Sequence, residues 1–259
     1  MQREFMTLNP SLTASQSETC RHILSSLLTD GLPSEAHEIY RGRNIVVSID
    51  VEGLSLSPLN IKAFRRPHII NRIIYGHLRK SKAFRSYDNA KILLDKGFHT
   101  PMPVGMCEQY DGCFLNRSYY VCTHLPFPTL RFVEQHPDCE AIIDALAQEM
   151  AALHKAGIFF RDFSPGNILV EKLAYGGYRF YYIDLNRMQF GVTSHKQLMH
   201  MFRSLIFHNP TLSQLARRYA FYMGLDAADV ESQALKVHQE FEDGKVRKRA
   251  LKKYLKPRK

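Results

Sequence analysis

Asp162-Phe163-Ser164-Pro165-Gly166-Asn167-Ile168-Leu169-Val170, the turn Ala174-Tyr175-Gly176-Gly177 and the run Tyr178-Arg179-Phe180-Tyr181-Tyr182-Ile183-Asp184 decide the fold of the chain around them. Ile168-Leu169-Val170 and the alternating Tyr178, Phe180 and Tyr182 suit two strands, and the glycines suit the turn between them. The stretch is therefore a short loop feeding a hairpin, and the hairpin brings Asp162, Asn167 and Asp184 together. Singly, these residues say little. An Asp and an Asn a few positions apart are common in loops, where both satisfy backbone groups, and an Asp after Tyr-Tyr-Ile suits a strand end. Together they supply what phosphoryl transfer needs. One carboxylate takes the proton of an attacking hydroxyl, and an amide and a second carboxylate hold Mg²⁺ against nucleotide phosphates.

Working outward toward the N-terminus, residues 38–64 give three short strands with Gly42 and Gly53 at turns. Gly42, beside Arg41, Arg43 and Asn44, is the one glycine placed to let backbone N–H groups approach a phosphate. Lys62 stands in the third strand, within Ile61-Lys62-Ala63-Phe64. An isolated strand lysine usually points to solvent, but one at this distance before a helix and the loop of Asp162 suits a clamp on the α- and β-phosphates. The helix that follows is capped by Ser81 and stopped by Gly97. Its inward stripe is Tyr87, Ala90, Leu93 and Leu94, with Asp88 beside it as the acid expected to pair with Lys62. Between strand and helix, residues 65–80 form a basic insertion with Ile69, Ile70, Ile73, Ile74 and Leu78 at helical spacing. Its isoleucines suit packing on the strands, and its basic residues also suit a membrane interface.

Residues 1–37 are polar, with a helical patch near Cys20–Leu28 and no assigned chemistry. Residues 117–125 form a strand leading into a hinge, and Ile142, Ile143, Leu146, Met150 and Leu153 stripe a helix over residues 138–156. His154 near that helix end is structural. Three helices are expected near 194–207, 211–223 and 227–242.

Composition bounds the remaining possibilities. At 259 residues and 45% apolar content the chain buries a substantial core as one domain or two lobes. Five cysteines without metal-ligand spacing, an odd number, favour reduced thiols and a cytosolic setting. Neither an apolar run of signal-peptide length nor a membrane-spanning run is present. The net charge of +10 is local: residues 244–259 hold nine Lys or Arg and no acid, so 35 − 9 leaves 26 basic against 25 acidic residues elsewhere. Such a tail suits an anionic membrane surface or a solvated end; no nucleic-acid partner is expected.

His154-Lys155-Ala156-Gly157-Ile158-Phe159-Phe160-Arg161-Asp162, continuing through Val170, resembles the catalytic loop of the protein-kinase-like fold. With Tyr181–Phe190, Arg85-Ser86-Tyr87-Asp88-Asn89-Ala90 and Gly97–Pro103, it resembles more narrowly the bacterial lipopolysaccharide kinase family, over roughly residues 38–207. The resemblance implies an α+β, bilobal protein-kinase-like fold, with a small β-rich N-lobe carrying one main helix and a mainly helical C-lobe. The expected boundaries are 1–37 for an N-terminal polar extension, 38–125 for the N-lobe, 126–243 for the C-lobe and 244–259 for the basic tail. It further implies an ATP- and Mg²⁺-dependent transfer to a sugar hydroxyl of Kdo or heptose in a lipopolysaccharide core glycolipid, at the inner face of the cytoplasmic membrane. Asp162 is then the base, Asn167 and Asp184 the Mg²⁺ ligands, and Lys62, Asp88 and Gly42 the nucleotide-positioning residues.

Departures from the protein-kinase pattern narrow the acceptor. Phe160 stands for the usual catalytic-loop histidine, Asn186 for the glycine of Asp-Phe-Gly, and Ser164 for the lysine of serine/threonine kinases. No long activation loop follows. These disfavour a protein substrate. A soluble aminoglycoside- or choline-type kinase, which usually carries a histidine in place of Ser164, and a nucleotide-binding pseudokinase are the alternatives.

Overall fold

The computed structural model describes residues 2–66 and 80–254 of the chain, so the isoleucines of the basic insertion lie outside the described residues. It divides into two compact units, Met1–Pro126 and Phe127–Lys259.

The first unit is built on a six-stranded antiparallel sheet. Its strands are β1 (Gln2–Leu8), β2 (His37–Arg41), β3 (Ile45–Ile49), β4 (Leu59–Ala63), β5 (Pro103–Asp111) and β6 (Phe114–Thr123), in the spatial order β1-β5-β6-β4-β3-β2. The three strands expected from residues 38–64 are β2, β3 and β4, and β3 pairs with β4 so that Val46 faces Lys62. Helix α1 (Ala14–Thr29) buries Cys20, Leu24, Leu27 and Leu28 against Leu59, Ile61, Val104, Cys107 and Val121. Each such aliphatic side chain contributes about 1.5–3 kcal/mol by leaving water.

The first 37 residues are thus part of the sheet unit rather than an extension from it. Close approach makes this possible: a side chain at Gly105 would bring its Cβ within 2.7 Å of the Thr7 carbonyl oxygen and 3.0 Å of Leu24. Only glycine in β5 lets β1 and α1 sit this near. Thr13 and Gln16 close a capping box at the start of α1, each side chain satisfying the other's backbone N–H.

Helix α2 (Lys82–Asp95) begins at Ser81, whose Oγ accepts from Phe84 N at 3.0 Å. It ends where Gly97 takes a φ of +82°. Tyr87, Ala90 and Leu93 are buried as the stripe predicts.

The second unit is mainly helical. Helix α3 (Cys139–Lys155) buries Ile142, Ile143, Leu146, Met150 and Leu153. Helices α4 (His195–Met199), α5 (Asn209–Met223) and α6 (Ala227–Tyr254) follow. The last does not stop near residue 242; it runs on through Gly244 into the basic stretch. Lys, Arg, Ala and Leu are strong helix formers and outweigh the single glycine, which costs about 1 kcal/mol.

His154 is structural, as its position suggests. Its Nδ1 lies 2.7 Å from the Tyr219 hydroxyl and its Nε2 3.0 Å from the Met201 sulfur. Burial, and secondarily the charge of His195, push its pKa down from 6.5 to about 3. The unfolded chain therefore binds a proton between those values that the folded chain refuses, so stability falls as pH drops through that window. Urea midpoints between pH 7 and 4 should show this loss, and His154→Gln should reduce the slope by close to one proton.

Candidate active site

Strand β7 (Phe159–Phe160) pairs with β10 (Met188–Gln189), setting Phe160 opposite Met188 and fixing both ends of the segment between them. Phe160, Phe163 and Tyr182 are fully buried, with ring centroids 5.9–6.0 Å apart. An apolar floor of three rings thus supports the loop where protein kinases place a hydrogen-bonding histidine. Ser204 Oγ adds an anchor by donating to the Phe163 carbonyl at 2.9 Å.

The loop closes on itself. The Asp162 carbonyl accepts from Ser164 N at 2.8 Å and from Asn167 Nδ2 at 2.9 Å, and Asn167 N donates to the Ser164 carbonyl at 2.8 Å. The Asn167 amide nitrogen is committed to that carbonyl, which leaves its oxygen as the end able to accept or to ligate. Gly166 passes directly under the guanidinium of Arg131, and an added Cβ there would collide with it.

The hairpin is formed by β8 (Ile168–Lys172) and β9 (Tyr178–Tyr182), with Ile168 opposite Tyr182. Gly176 and Gly177 take φ of +91° and +87° at the expected turn. Ile183 N donates to the Asn167 carbonyl at 3.0 Å, which brings Asp184 beside the loop. Asp184 has φ 62° and ψ 46°, and among the described residues it is the one non-glycine with positive φ. A left-handed non-glycine costs about 1–3 kcal/mol and persists where its surroundings impose it. Here they do. Asn186, itself buried, donates from Nδ2 to Asp184 Oδ1.

The next residue returns to the loop: Arg187 Nη1 lies 3.3 Å and 3.4 Å from the two Asp162 carboxylate oxygens. Asp162, Asn167 and Asp184, separated along the chain, are therefore linked through Ile183 and Arg187. Two oxygen donors are the number a Mg²⁺ ion takes from protein when substrate phosphates and water complete its shell, so the residues present fit that ion.

In the first unit, Lys62 faces Tyr120 across β4 and β6, and its Nζ lies 5.4 Å from the Phe64 ring. Its neighbours Leu59 and Ile61 point into the α1 core, so strand alternation puts Lys62 on the opposite face of the sheet. The Lys62 charge pulls down on the Cys122 thiol, although burial outweighs it and the thiol sits at about 12. The expected acid, Asp88, pairs through its carboxylate with Lys80 Nζ at 3.2 Å, half exposed to solvent. Lys80, the lysine just before the cap of α2, is near in sequence and reaches this acid. Gly42 lies in the tight connection between β2 and β3, where its N–H donates to the Asn44 carbonyl at 3.0 Å. The Tyr40 side chain lies over it, filling the space a Cβ would need.

Asn186 and Arg187, which contact Asp184 and Asp162, lie in the Tyr181–Phe190 stretch, but nothing in the sequence alone marks them for those contacts. In the sequence Asn186 stands out only as the residue replacing the glycine of Asp-Phe-Gly.

The sequence model of the "Lipopolysaccharide kinase (Kdo/WaaP) family" matches residues 60–221, which include Lys62, Asp162, Asn167 and Asp184. The chain belongs to this lipopolysaccharide kinase family. It is accordingly a phosphotransferase acting on a sugar hydroxyl, one that uses a nucleotide and a glycolipid substrate. Comparison with curated proteins gives no match. Among solved structures, WaaP in complex with acyl carrier protein superposes with a TM-score of 0.60 at 16% identity, covering 93% of this chain and 97% of that one. This confirms the protein-kinase-like fold. The Rio2 kinase of Chaetomium thermophilum, in its ADP/Mg²⁺-phosphoaspartate complex, superposes with a TM-score of 0.47 at 16% identity, covering 89% of this chain and 71% of that one.

Proposed function

We propose that this lipopolysaccharide kinase transfers the γ-phosphate of ATP, with Mg²⁺, to a hydroxyl of Kdo or heptose in the inner core. The observation that carries the reading is the linkage of Asp162, Asn167 and Asp184 through Ile183 and Arg187 in a family member.

Asp162 accepts the proton of the attacking hydroxyl, and Arg187 fixes the orientation of its carboxylate. Asn167 and Asp184 hold the metal, which when bound neutralises charge developing on the phosphates. Asn186 keeps Asp184 in place. Lys62 clamps the α- and β-phosphates. Incubating the purified protein with ATP, Mg²⁺ and Kdo-lipid A, then reading the glycolipid by mass spectrometry, tests this. Gain of one phosphate is expected, and the position of that phosphate separates Kdo from heptose in acceptors carrying both. No gain on either sugar, with nucleotide and metal present, would refute the reading.

The basic end of α6 is proposed to hold the enzyme at an anionic membrane. Among the described residues no helix is long and apolar enough to cross a membrane. Each basic side chain near an acidic leaflet contributes about 1 kcal/mol, screened within about 8 Å at physiological salt. Deleting residues 244–259 should therefore weaken binding to anionic vesicles, and the difference should vanish in high salt. Equal vesicle binding by the two proteins would leave the tail without this role.

A further inference from the structure

Asp162 is surrounded by more positive charge than it can neutralise. Arg187 pairs with it, Arg161 precedes it, and Arg203 donates from Nη2 to the Arg161 carbonyl at 3.2 Å. Among the described residues, neither Arg161 nor Arg203 pairs with a carboxylate. Arg203 is half buried, stacks 5.6 Å from the Phe241 ring centroid, and keeps its Nε buried without a hydrogen-bond partner among the described residues. The same Phe241 ring carries Lys245 at 4.4 Å on α6. Burial, then Arg161, and finally Arg187 depress the Arg203 pKa, while Asp162 raises it. The Arg203 guanidinium thus lies within electrostatic reach of Arg161, Arg187 and Asp162.

Packing on Phe241 explains where Arg203 stands, but it does not explain why two further guanidiniums share the neighbourhood. Planar guanidinium forks match carboxylate and phosphate oxygens, and an anion between them would relieve the repulsion. We propose that Arg161, Arg187 and Arg203 form an anion-binding subsite beside Asp162, which selects acceptors bearing a carboxylate or phosphate close to the hydroxyl that is phosphorylated. The proposal deepens, and rests on, the assignment of Asp162 as the base. It makes an acidic sugar the preferred acceptor through contacts at the reacting end, independently of the basic tail.

The test uses the full chain and two pairs of soluble probes: the methyl glycoside of Kdo against its methyl ester, and heptose phosphate against heptose. Binding is measured by calorimetry without nucleotide, and turnover separately. The wild type should favour the charged member of at least one pair by at least about tenfold, the scale of one charge-assisted hydrogen bond. The pair that shows the preference identifies the anion as carboxylate or phosphate. Arg161→Gln with Arg203→Gln should abolish that preference while leaving the affinity for the neutral probe unchanged, and Arg203→Lys should restore part of it. Thermal melts confirm folding of each variant, and should the double variant melt early, the wild-type comparison of charged and neutral probes still decides. Equal affinity for charged and neutral members of both pairs, or equal loss of both in the double variant, would overturn the subsite. Because binding is read without turnover, charged-probe preference in a protein that transfers no phosphate would refute the proposed reaction and spare the subsite.

Discussion

Asp162→Asn should slow phosphoryl transfer by about 10² to 10⁴, the range for losing a general base. The substitution is nearly isosteric, and the contacts that shape the loop use the Asp162 carbonyl rather than its side chain. Loop geometry should therefore survive, and nucleotide affinity should stay near wild type. What is lost is the proton acceptor and half of the charge pair with Arg187, which then faces an amide. Single-turnover rates with saturating glycolipid isolate the chemical step. A rate within threefold of wild type would remove Asp162 from proton transfer.

Asp184→Ala should remove the dependence of nucleotide binding on Mg²⁺ and lower turnover by about 10³ or more, since a catalytic metal supplies several kcal/mol of charge stabilisation. Alanine confounds two effects, because it also places a Cβ-bearing residue without a polar side chain at φ 62°. Asp184→Asn separates them. Asparagine tolerates the left-handed region and offers an oxygen for Asn186, but it carries no charge. Equal loss of metal dependence in both variants assigns the effect to the carboxylate. Retention in Asp184→Asn would mean that conformation, not charge, matters there. Asp184→Gly, free of the left-handed penalty, should melt no lower than Asp184→Ala.

What was legible in the sequence was local. The loop, the glycine turn and the hairpin lie within one short stretch, so spacing and alternation suffice to place Asp162, Asn167 and Asp184. The Ser81 cap and the stripe of α3 are likewise written in neighbouring residues. Strand β1 was not legible because it is an edge strand with most side chains exposed, and its partner β5 lies far along the chain, with Gln2 opposite Asp111. Strand β5 hides for the opposite reason. It is buried along nearly its whole length, so apolar and polar positions do not alternate. Glu108 even sits inside, accepting hydrogen bonds from Ser81 and from the Tyr110 hydroxyl at 2.7 Å.

The same distinction governs the site. Asp88 stands out in the sequence for its place beside a helix stripe, but its contact with Lys80 is set by the fold around the start of α2. Arg203 reaches the catalytic loop only through tertiary folding, and nothing in its surrounding sequence marks it. Gly105 shows the same limit for the core, because its missing side chain matters only once β1 and α1 are in place.

The central claim is that Asn167 and Asp184 hold a divalent ion at a bound nucleotide beside Asp162. Anomalous diffraction from crystals grown with Mn²⁺ and a non-hydrolysable ATP analogue tests it most directly. The account predicts an anomalous peak at bonding distance from the Asn167 amide oxygen and the Asp184 carboxylate, with phosphate oxygens completing the shell. A well-ordered nucleotide whose metal lies away from both residues would contradict it.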